Sequence, residues 1–332
     1  MMPPEKILII GAGSWGTALA KLLADKGKQV ILWGHREAHI EQIRRESENR
    51  LYLPGIKLDN ITFTADINMV KGAAMVVMVV PSHVFRGVFK NLAPLLGNDT
   101  YVLSAVKGIE NDTLMTMTMV IEDIKKGLPV GVLSGPSFAR EVAAGIPTAV
   151  TVASSDIKQA RVFQQTFFTE FFRVYTSTDV IGLELGGPLK NIIAIAAGIC
   201  DGLGYGTNTR AALITRGLAE ITRMGVKMGA NPLTFSGLAG MGDLVLTCTG
   251  DLSRNRQVGL MLGQGKTLSD ILAEMKMVAE GVKTTKSAWL LSRKIGVDMP
   301  ILEQIYQVIY ADKPCAEAVR DLLSRDQKEE LS

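Results

Sequence analysis

Hydrophobic residues are distributed along this chain in two different ways, and the change falls close to residue 186. Up to that point, short and almost unbroken apolar runs alternate with longer mixed stretches. The runs cover residues 6–10, 29–33, 61–64, 73–80, 101–105, 129–133, 148–153 and 171–175. An apolar run of this length predicts a strand covered on both faces, as in a parallel sheet flanked by helices. Repeated strand–helix alternation predicts a doubly wound domain. Beyond Gly187 the strand pattern stops. Helices separated by Gly, Pro and Asn take over, among them 209–228, 267–277, 284–296 and 301–311. The expected fold is α/β plus all-α: a Rossmann-type domain over 1–186, then an all-helical domain over 187–332.

The junction carries an unusual stretch, Gly186-Gly187-Pro188-Leu189-Lys190-Asn191, followed by residues that are apolar almost all round. Such a pattern predicts a buried helix. Pro188 suits its first position, where the missing N–H has no partner in any case. Lys190 then stands at the mouth of a buried helix. It either snorkels to water, or it is held partly dry, with its pKa drawn below ~10.4 so that it can trade protons.

The first strand runs into Gly11-Ala12-Gly13-Ser14-Trp15-Gly16, then a helical stretch and a second strand. Inside a strand–turn–helix–strand unit of about this length, the G-x-G-x-x-G spacing predicts a dinucleotide site, with pyrophosphate on a helix N-terminus. The tip of the second strand reads Trp33-Gly34-His35-Arg36, with a carboxylate only at Glu37. An NAD site places an acidic residue there, whereas an arginine suits the 2′-phosphate of NADP. NADP(H) is the expected preference, with NAD(H) possible. Arg36 could equally be the start of the next helix.

Ligands of open α/β sheets lie outside the carboxyl ends of the strands. Lys107, and the run from Ser134 through Gly135 and Ser137 to Ala139, follow strand ends directly. In the helical half, Asp243 lies in a glycine-rich stretch, and Ser253-Arg254-Asn255-Arg256 carries helix N-cap signals. Arginines just inside a helix N-terminus oppose its dipole, a placement that an anion docking there would justify.

Bulk properties narrow the class. A net charge of +3 without a basic block gives no support for nucleic acid as a partner. Three widely spaced cysteines, Cys200, Cys248 and Cys315, fit a reducing compartment and disfavour a zinc site, so no metal is expected. No uninterrupted apolar run approaches the ~18 residues of a membrane span. A cytoplasmic location is the expectation. The three histidines, His35, His39 and His83, all precede the helical half. If a ketone is reduced here, the proton donor must then be a lysine, Lys190 first and Lys107 second.

These motifs together resemble bacterial NAD(P)-dependent glycerol-3-phosphate dehydrogenases across nearly the whole chain. The matching stretches include Gly11-x-Gly13-x-Trp15-Gly16-Thr17-Ala18, Ala105-Val106-Lys107-Gly108-Ile109-Glu110 and Ser134-Gly135-Pro136-Ser137-Phe138-Ala139-x-Glu141. They continue with Leu189-Lys190-Asn191, Gly240-x-Gly242-Asp243-Leu244, Ser253-Arg254-Asn255-Arg256 and Val278-x-Glu280-Gly281-Val282. The resemblance implies a cytoplasmic homodimer that interconverts dihydroxyacetone phosphate and sn-glycerol 3-phosphate for phospholipid synthesis. It implies Lys190 as proton donor and acceptor. Lys107, Gly135, Ser137, Asp243, Ser253, Arg254 and Asn255 would surround the substrate. Ser14, Trp15, His35, Arg36, Lys107, Ala139, Arg254, Val278 and Glu280 would contact the dinucleotide. Pro188 departs from the alanine usual in the family. Two other readings fit the fold: a β-hydroxyacid-type dehydrogenase on the same plan, and a non-catalytic dinucleotide sensor, against which Lys190 with Arg254 argues.

Overall fold

A computed structural model of the chain describes residues 5–275, 279–327 and 329–330. Eight strands form one sheet: β1 (Lys6–Ile10), β2 (Gln29–Trp33), β3 (Ile61–Thr64), β4 (Met75–Met78), β5 (Tyr101–Ser104), β6 (Val130–Ser134), β7 (Thr148–Ala153) and β8 (Phe172–Ser177). Their order is β3-β2-β1-β4-β5-β6-β7-β8. Neighbours are parallel except β6 and β7, which run antiparallel with Leu133 opposite Val152. The first six strands have the order of a doubly wound dinucleotide fold, whose ligand crevice opens where the order reverses, between β1 and β4.

The unbroken apolar character of the strands has a direct cause. Ile7 and Ile9 enter one apolar layer with Leu19, Leu23 and Phe163, while Leu8 and Ile10 enter the opposite layer with Phe85 and Phe89. Successive side chains alternate across a strand, and helices cover both faces here, so both sets must be apolar. Those helices are α1 (Ser14–Asp25), α2 (Glu37–Glu46), α3 (Ser82–Leu92), α4 (Met117–Ile124), α5 (Ala139–Ala143) and α6 (Ile157–Phe167).

The remainder is helical: α7 (Val180–Gly202), α8 (Thr207–Lys227), α9 (Pro232–Phe235), a π-helical turn (Leu238–Gly242), α10 (Asp243–Thr249), α11 (Arg254–Gly263), α12 (Leu268–Glu274), α13 (Glu280–Ile295), α14 (Pro300–Tyr310) and α15 (Cys315–Leu323). α7 runs through the middle, buried continuously from Gly182 to Cys200. By length and composition it could cross a membrane, yet 89% of its apolar window is buried inside the protein. It is a core helix.

One expectation needs correction. Pro188 does not begin this helix; it lies inside it. The helix starts at Val180, where the Asp179 carboxylate accepts from Gly182 N at 3.0 Å and from Thr234 Oγ1 at 2.6 Å. A proline in a helix interior removes one N–H and crowds the residue before it. That residue is Gly187, which has no Cβ to crowd, so the helix continues.

Glycines also let α7 and α11 approach at backbone distance. A Cβ on Gly198 would fall 2.0 Å from Arg256 O, and one on Gly259 would fall 1.9 Å from Ile195 O. Neither obstacle is a side chain that can swing away. Gly259→Ala should therefore destabilise the fold by at least the ~3 kcal/mol at the upper end of ordinary overpacking. A urea titration checks this, and a midpoint unchanged from wild type would contradict the close packing.

Candidate active site

At the Gly-rich turn each glycine has a distinct part. Gly11 adopts φ 126°, and a Cβ there would meet Val79 O at 2.7 Å. A Cβ on Gly16 would fall 1.9 Å from Gly11 O, whereas one on Gly13 would meet no atom within 4 Å. The first and third positions thus seat the turn against the protein. The second, which caps α1, leaves open space in front of a helix N-terminus. A pyrophosphate needs this combination of close backbone approach and unpartnered N–H groups, so the residues present fit a dinucleotide. Ser14 opens α1, and its hydroxyl donates to Tyr52 O at 2.6 Å. Trp15 and Ala139 pack against one small cluster, Ala18, Leu53 and Ala143, where α1 meets α5.

At the tip of β2, His35 and Arg36 are exposed. Arg36 does occupy the N-cap position of α2, the plainer of its two expected roles. Its guanidinium donates to Tyr52 Oη at 2.8 Å and, among the described residues, forms no ion pair with a carboxylate. A cationic head at this strand tip remains available to an anion.

The chemistry gathers around one buried carboxylate. Asp243 begins α10 directly after the π-helical turn and is inaccessible to solvent. One of its oxygens accepts from Lys190 Nζ and the other from Lys107 Nζ, the latter at 2.7 Å. Lys107 also donates to Gly135 O at 3.2 Å, and the same carbonyl accepts from Ser137 Oγ at 3.0 Å. Lys190 donates further to Thr247 Oγ1 at 2.7 Å, whose own proton goes to Asp243 O at 2.6 Å. Gly186 and Gly187 make this gathering possible. A Cβ on Gly186 would lie 2.3 Å from Ala239 O in the π-helical turn, and one on Gly187 would lie 2.9 Å from Lys107 Cγ. Both neighbours could not approach α7 past a side chain.

A carboxylate beside an ammonium ordinarily keeps it charged. Here one negative charge is shared between two ammonium groups, and Lys190 is only 5% exposed. Burial outweighs the pull of Asp243, Lys107 adds to it, and the Lys190 pKa falls from 10.5 to about 7.

At the start of α11 the serine and asparagine do structural work. Ser253 Oγ accepts from Arg256 N at 3.2 Å, and Asn255 Oδ1 accepts from Gly281 N at 2.9 Å. Arg256 is the second correction. It turns onto Asp201 (2.9 Å from Nε) and Asp251 (3.0 Å from Nη1), so its anion is part of the protein. The argument for an external anion then rests on Arg254 alone. Crowding by the surrounding protein draws the Arg254 pKa below its ordinary value, against the pull of Glu280. Glu280 opens α13 and accepts at 3.2 Å from the Oγ of Ser82, the first residue of α3, the helix that follows β4. Burial pushes its pKa up, while Ser82 and Arg254 oppose that shift. Glu280 is thereby tied to the start of α3 on the β4 side of the crevice, and Arg254 interacts electrostatically with it. Val278 lies outside the described residues.

Two family models match the chain. Residues 6–160 match the NAD-dependent glycerol-3-phosphate dehydrogenase N-terminus and residues 179–320 match its C-terminus. The chain belongs to the NAD-dependent glycerol-3-phosphate dehydrogenase family. It is 58% identical over 331 residues to the glycerol-3-phosphate dehydrogenase [NAD(P)+] of Geobacter sp. (strain M21), covering 98% of this chain and 99% of that one. The crystal structure of glycerol-3-phosphate dehydrogenase from Coxiella burnetii is 39% identical and superposes with a TM-score of 0.94 over 97% of this chain and 99% of that one. The Saccharomyces cerevisiae enzyme is 29% identical with a TM-score of 0.83, covering 97% and 100%.

Within this glycerol-3-phosphate dehydrogenase fold, Thr247 and Tyr52 are site neighbours that the sequence reading passed over. Thr247 had a signal, since it follows Asp243 by four residues and so shares its helix face. Tyr52 had none, because its place depends on how a long loop folds back.

The Lys190 ammonium should titrate at pH about 7, followed through lysine side-chain nitrogen resonances. Asp243→Asn removes the group that favours the charged form and should lower that value further. A midpoint near the ordinary ~10.4 would show a site much wetter than the one described.

Proposed function

We propose that this chain interconverts dihydroxyacetone phosphate and sn-glycerol 3-phosphate with NAD(P)H, and that Lys190 carries the proton. The buried Lys190–Asp243–Lys107 arrangement is the observation that supports this reading most directly. The dinucleotide, held by Gly11, Gly13, Ser14, Trp15, Gly16, His35, Arg36, Ala139, Arg254 and Glu280, supplies or accepts hydride when bound. A ketone gaining hydride develops negative charge on oxygen and needs a proton in the same event. With a pKa of about 7, Lys190 can give that proton in reduction and take it back in oxidation. Lys107 stays beside it as a cation that stabilises the developing alkoxide. Asp243 fixes both ammonium groups.

Arg254, at the α11 N-terminus shaped by Ser253 and Asn255, offers the substrate phosphate a guanidinium and backbone N–H groups. Gly135 and Ser137 close the site from the sheet side. We assign residues 1–186 to the dinucleotide and 187–332 to the substrate, with α7 crossing between them. The basic tip at His35 and Arg36 supports NADPH as the preferred cofactor. A cytoplasmic homodimer serving phospholipid synthesis completes the reading, on the strength of the family likeness.

Purified protein with NADPH and dihydroxyacetone phosphate should show loss of nicotinamide absorbance. Dihydroxyacetone lacking its phosphate should be nearly inert, because remote binding energy positions the carbonyl. Equal turnover of the two ketones would defeat the assignment. Reductive kcat/KM should fall as pH rises above about 7, where Lys190 loses its proton, and the oxidative rate should rise through the same region. Lys190→Met should lower kcat by at least ~10²-fold and abolish both pH limbs; near-normal turnover would transfer the role to Lys107. Arg36→Asp should cost about 1.5–3 kcal/mol of NADPH affinity while sparing NADH, as read by equilibrium binding.

A further inference from the structure

The loop between α2 and β3 is built like a bracket against the dinucleotide turn. Asn49 is fully buried in it, and its amide donates to Ala12 O at 3.0 Å and to Thr17 Oγ1 at 2.8 Å. Its carbonyl oxygen faces His39 Nε2 at 3.0 Å. Three residues on, Tyr52 is held from several sides. Its carbonyl accepts from Ser14 Oγ at 2.6 Å, its N–H donates to Asn49 O at 3.2 Å, and its ring meets His39 edge-on with centroids 5.3 Å apart. The ring lies beneath Arg36, 6.0 Å from guanidinium carbon to centroid, and its hydroxyl accepts from Arg36 Nη2 at 2.8 Å.

Arginine heads on a surface normally sample many rotamers, and binding a phosphate must then order them at a cost in entropy. Here a tyrosine fixed to the Gly-rich turn already holds the head at the tip of β2. We infer that Tyr52 is a positioning residue for cofactor selectivity: it pre-orients Arg36 for the phosphate on the adenosine ribose and so favours NADPH over NADH. The inference rests on the dinucleotide reading of the site. It adds a residue that touches neither nicotinamide nor substrate. The hydroxyl end of the ring meets Arg36 and sets the rotation of the guanidinium plane that a bidentate phosphate contact needs.

Titration calorimetry of purified protein with NADPH and with NADH, without any ketone, tests this apart from turnover. Tyr52→Phe keeps the ring and the loop and removes only the hydroxyl. The NADPH dissociation constant should rise about fivefold, the scale of one typical net hydrogen bond, while that for NADH changes less than twofold. In an Arg36→Ala background the same change should alter NADPH binding less than twofold, because the hydroxyl acts through the arginine. Equal weakening of both cofactors would reduce Tyr52 to a loop anchor and overturn the inference. A full fivefold loss persisting without Arg36 would also overturn it, since the hydroxyl would then act by itself. Wild-type protein that binds neither dinucleotide would remove the underlying reading as well.

Discussion

Everything in the catalytic half depends on how closely other chain segments can approach α7. Four of its residues, Gly186, Gly187, Gly198 and Gly202, present bare backbone to neighbours that lie within 3 Å of where a Cβ would sit. Near the N-terminal end those neighbours are the π-helical turn and the stem of Lys107. Near the C-terminal end they are the backbone of α11, whose own Gly259 and Gly263 return the fit. The two contacts fix different functional groups. One sets Lys107 and Asp243 beside Lys190; the other sets the register of α11, hence the position of Arg254 at its start. Packed interiors do not deform continuously, so this geometry is specified mostly by backbone contact, with the Lys107 stem as the one side chain among these neighbours.

The electrostatics follow from that geometry. With both lysines protonated around one carboxylate, the cluster carries a net positive charge in a dry place, a cost relieved when Lys190 gives up its proton or when a further anion arrives. Such a cluster is poorly stabilised alone and well matched to a developing alkoxide. A second buried carboxylate on α7 shows what a purely structural solution looks like. Glu184 accepts from Thr116 Oγ1 at 2.6 Å and from Thr118 N and Oγ1 at 2.7 and 2.5 Å, at the N-terminus of α4. Its donors are all neutral and it faces no lysine. Burial still pushes its pKa up, yet it joins α7 to the sheet half and leaves no charge seeking a partner.

Much of this was legible in the sequence. Beyond their first residue these strands carry no polar residue except threonine, which itself favours strands, so β1 to β3 and β7 are found at their observed limits. The Gly-rich turn, Lys190, Lys107 and Asp243 were legible because each follows a strand end or sits in a stretch unlike its surroundings. Pro188 misled because a proline after glycine reads as a start, whereas the true signal was Asp179, nine residues before Pro188 and directly before α7. Arg256 misled because only the fold brings Asp201 to it. Tyr52 was silent for the same reason: loop 47–60 has no period from which a contact could be read.

The position of Lys190 within its helix carries one more consequence. Glu184 holds α7 to α4 six residues before Lys190, and Asn191, immediately after it, has its carbonyl 3.0 Å from where a Cβ on Gly281 would sit. Gly281 in turn donates to Asn255 at the start of α11. The lysine is thus braced on both sides along its own helix, toward the sheet half and toward the start of α11. In the role proposed for it, Lys190 exchanges a proton in both directions and must return to the same place after each transfer, where lost precision of even an ångström is costly in rate. A long flexible side chain achieves this only when backbone and counter-ion are both fixed. That accounts for a lysine embedded in mid-helix among glycines, where a surface loop lysine would have lacked both the burial that lowers its pKa and the fixed aim.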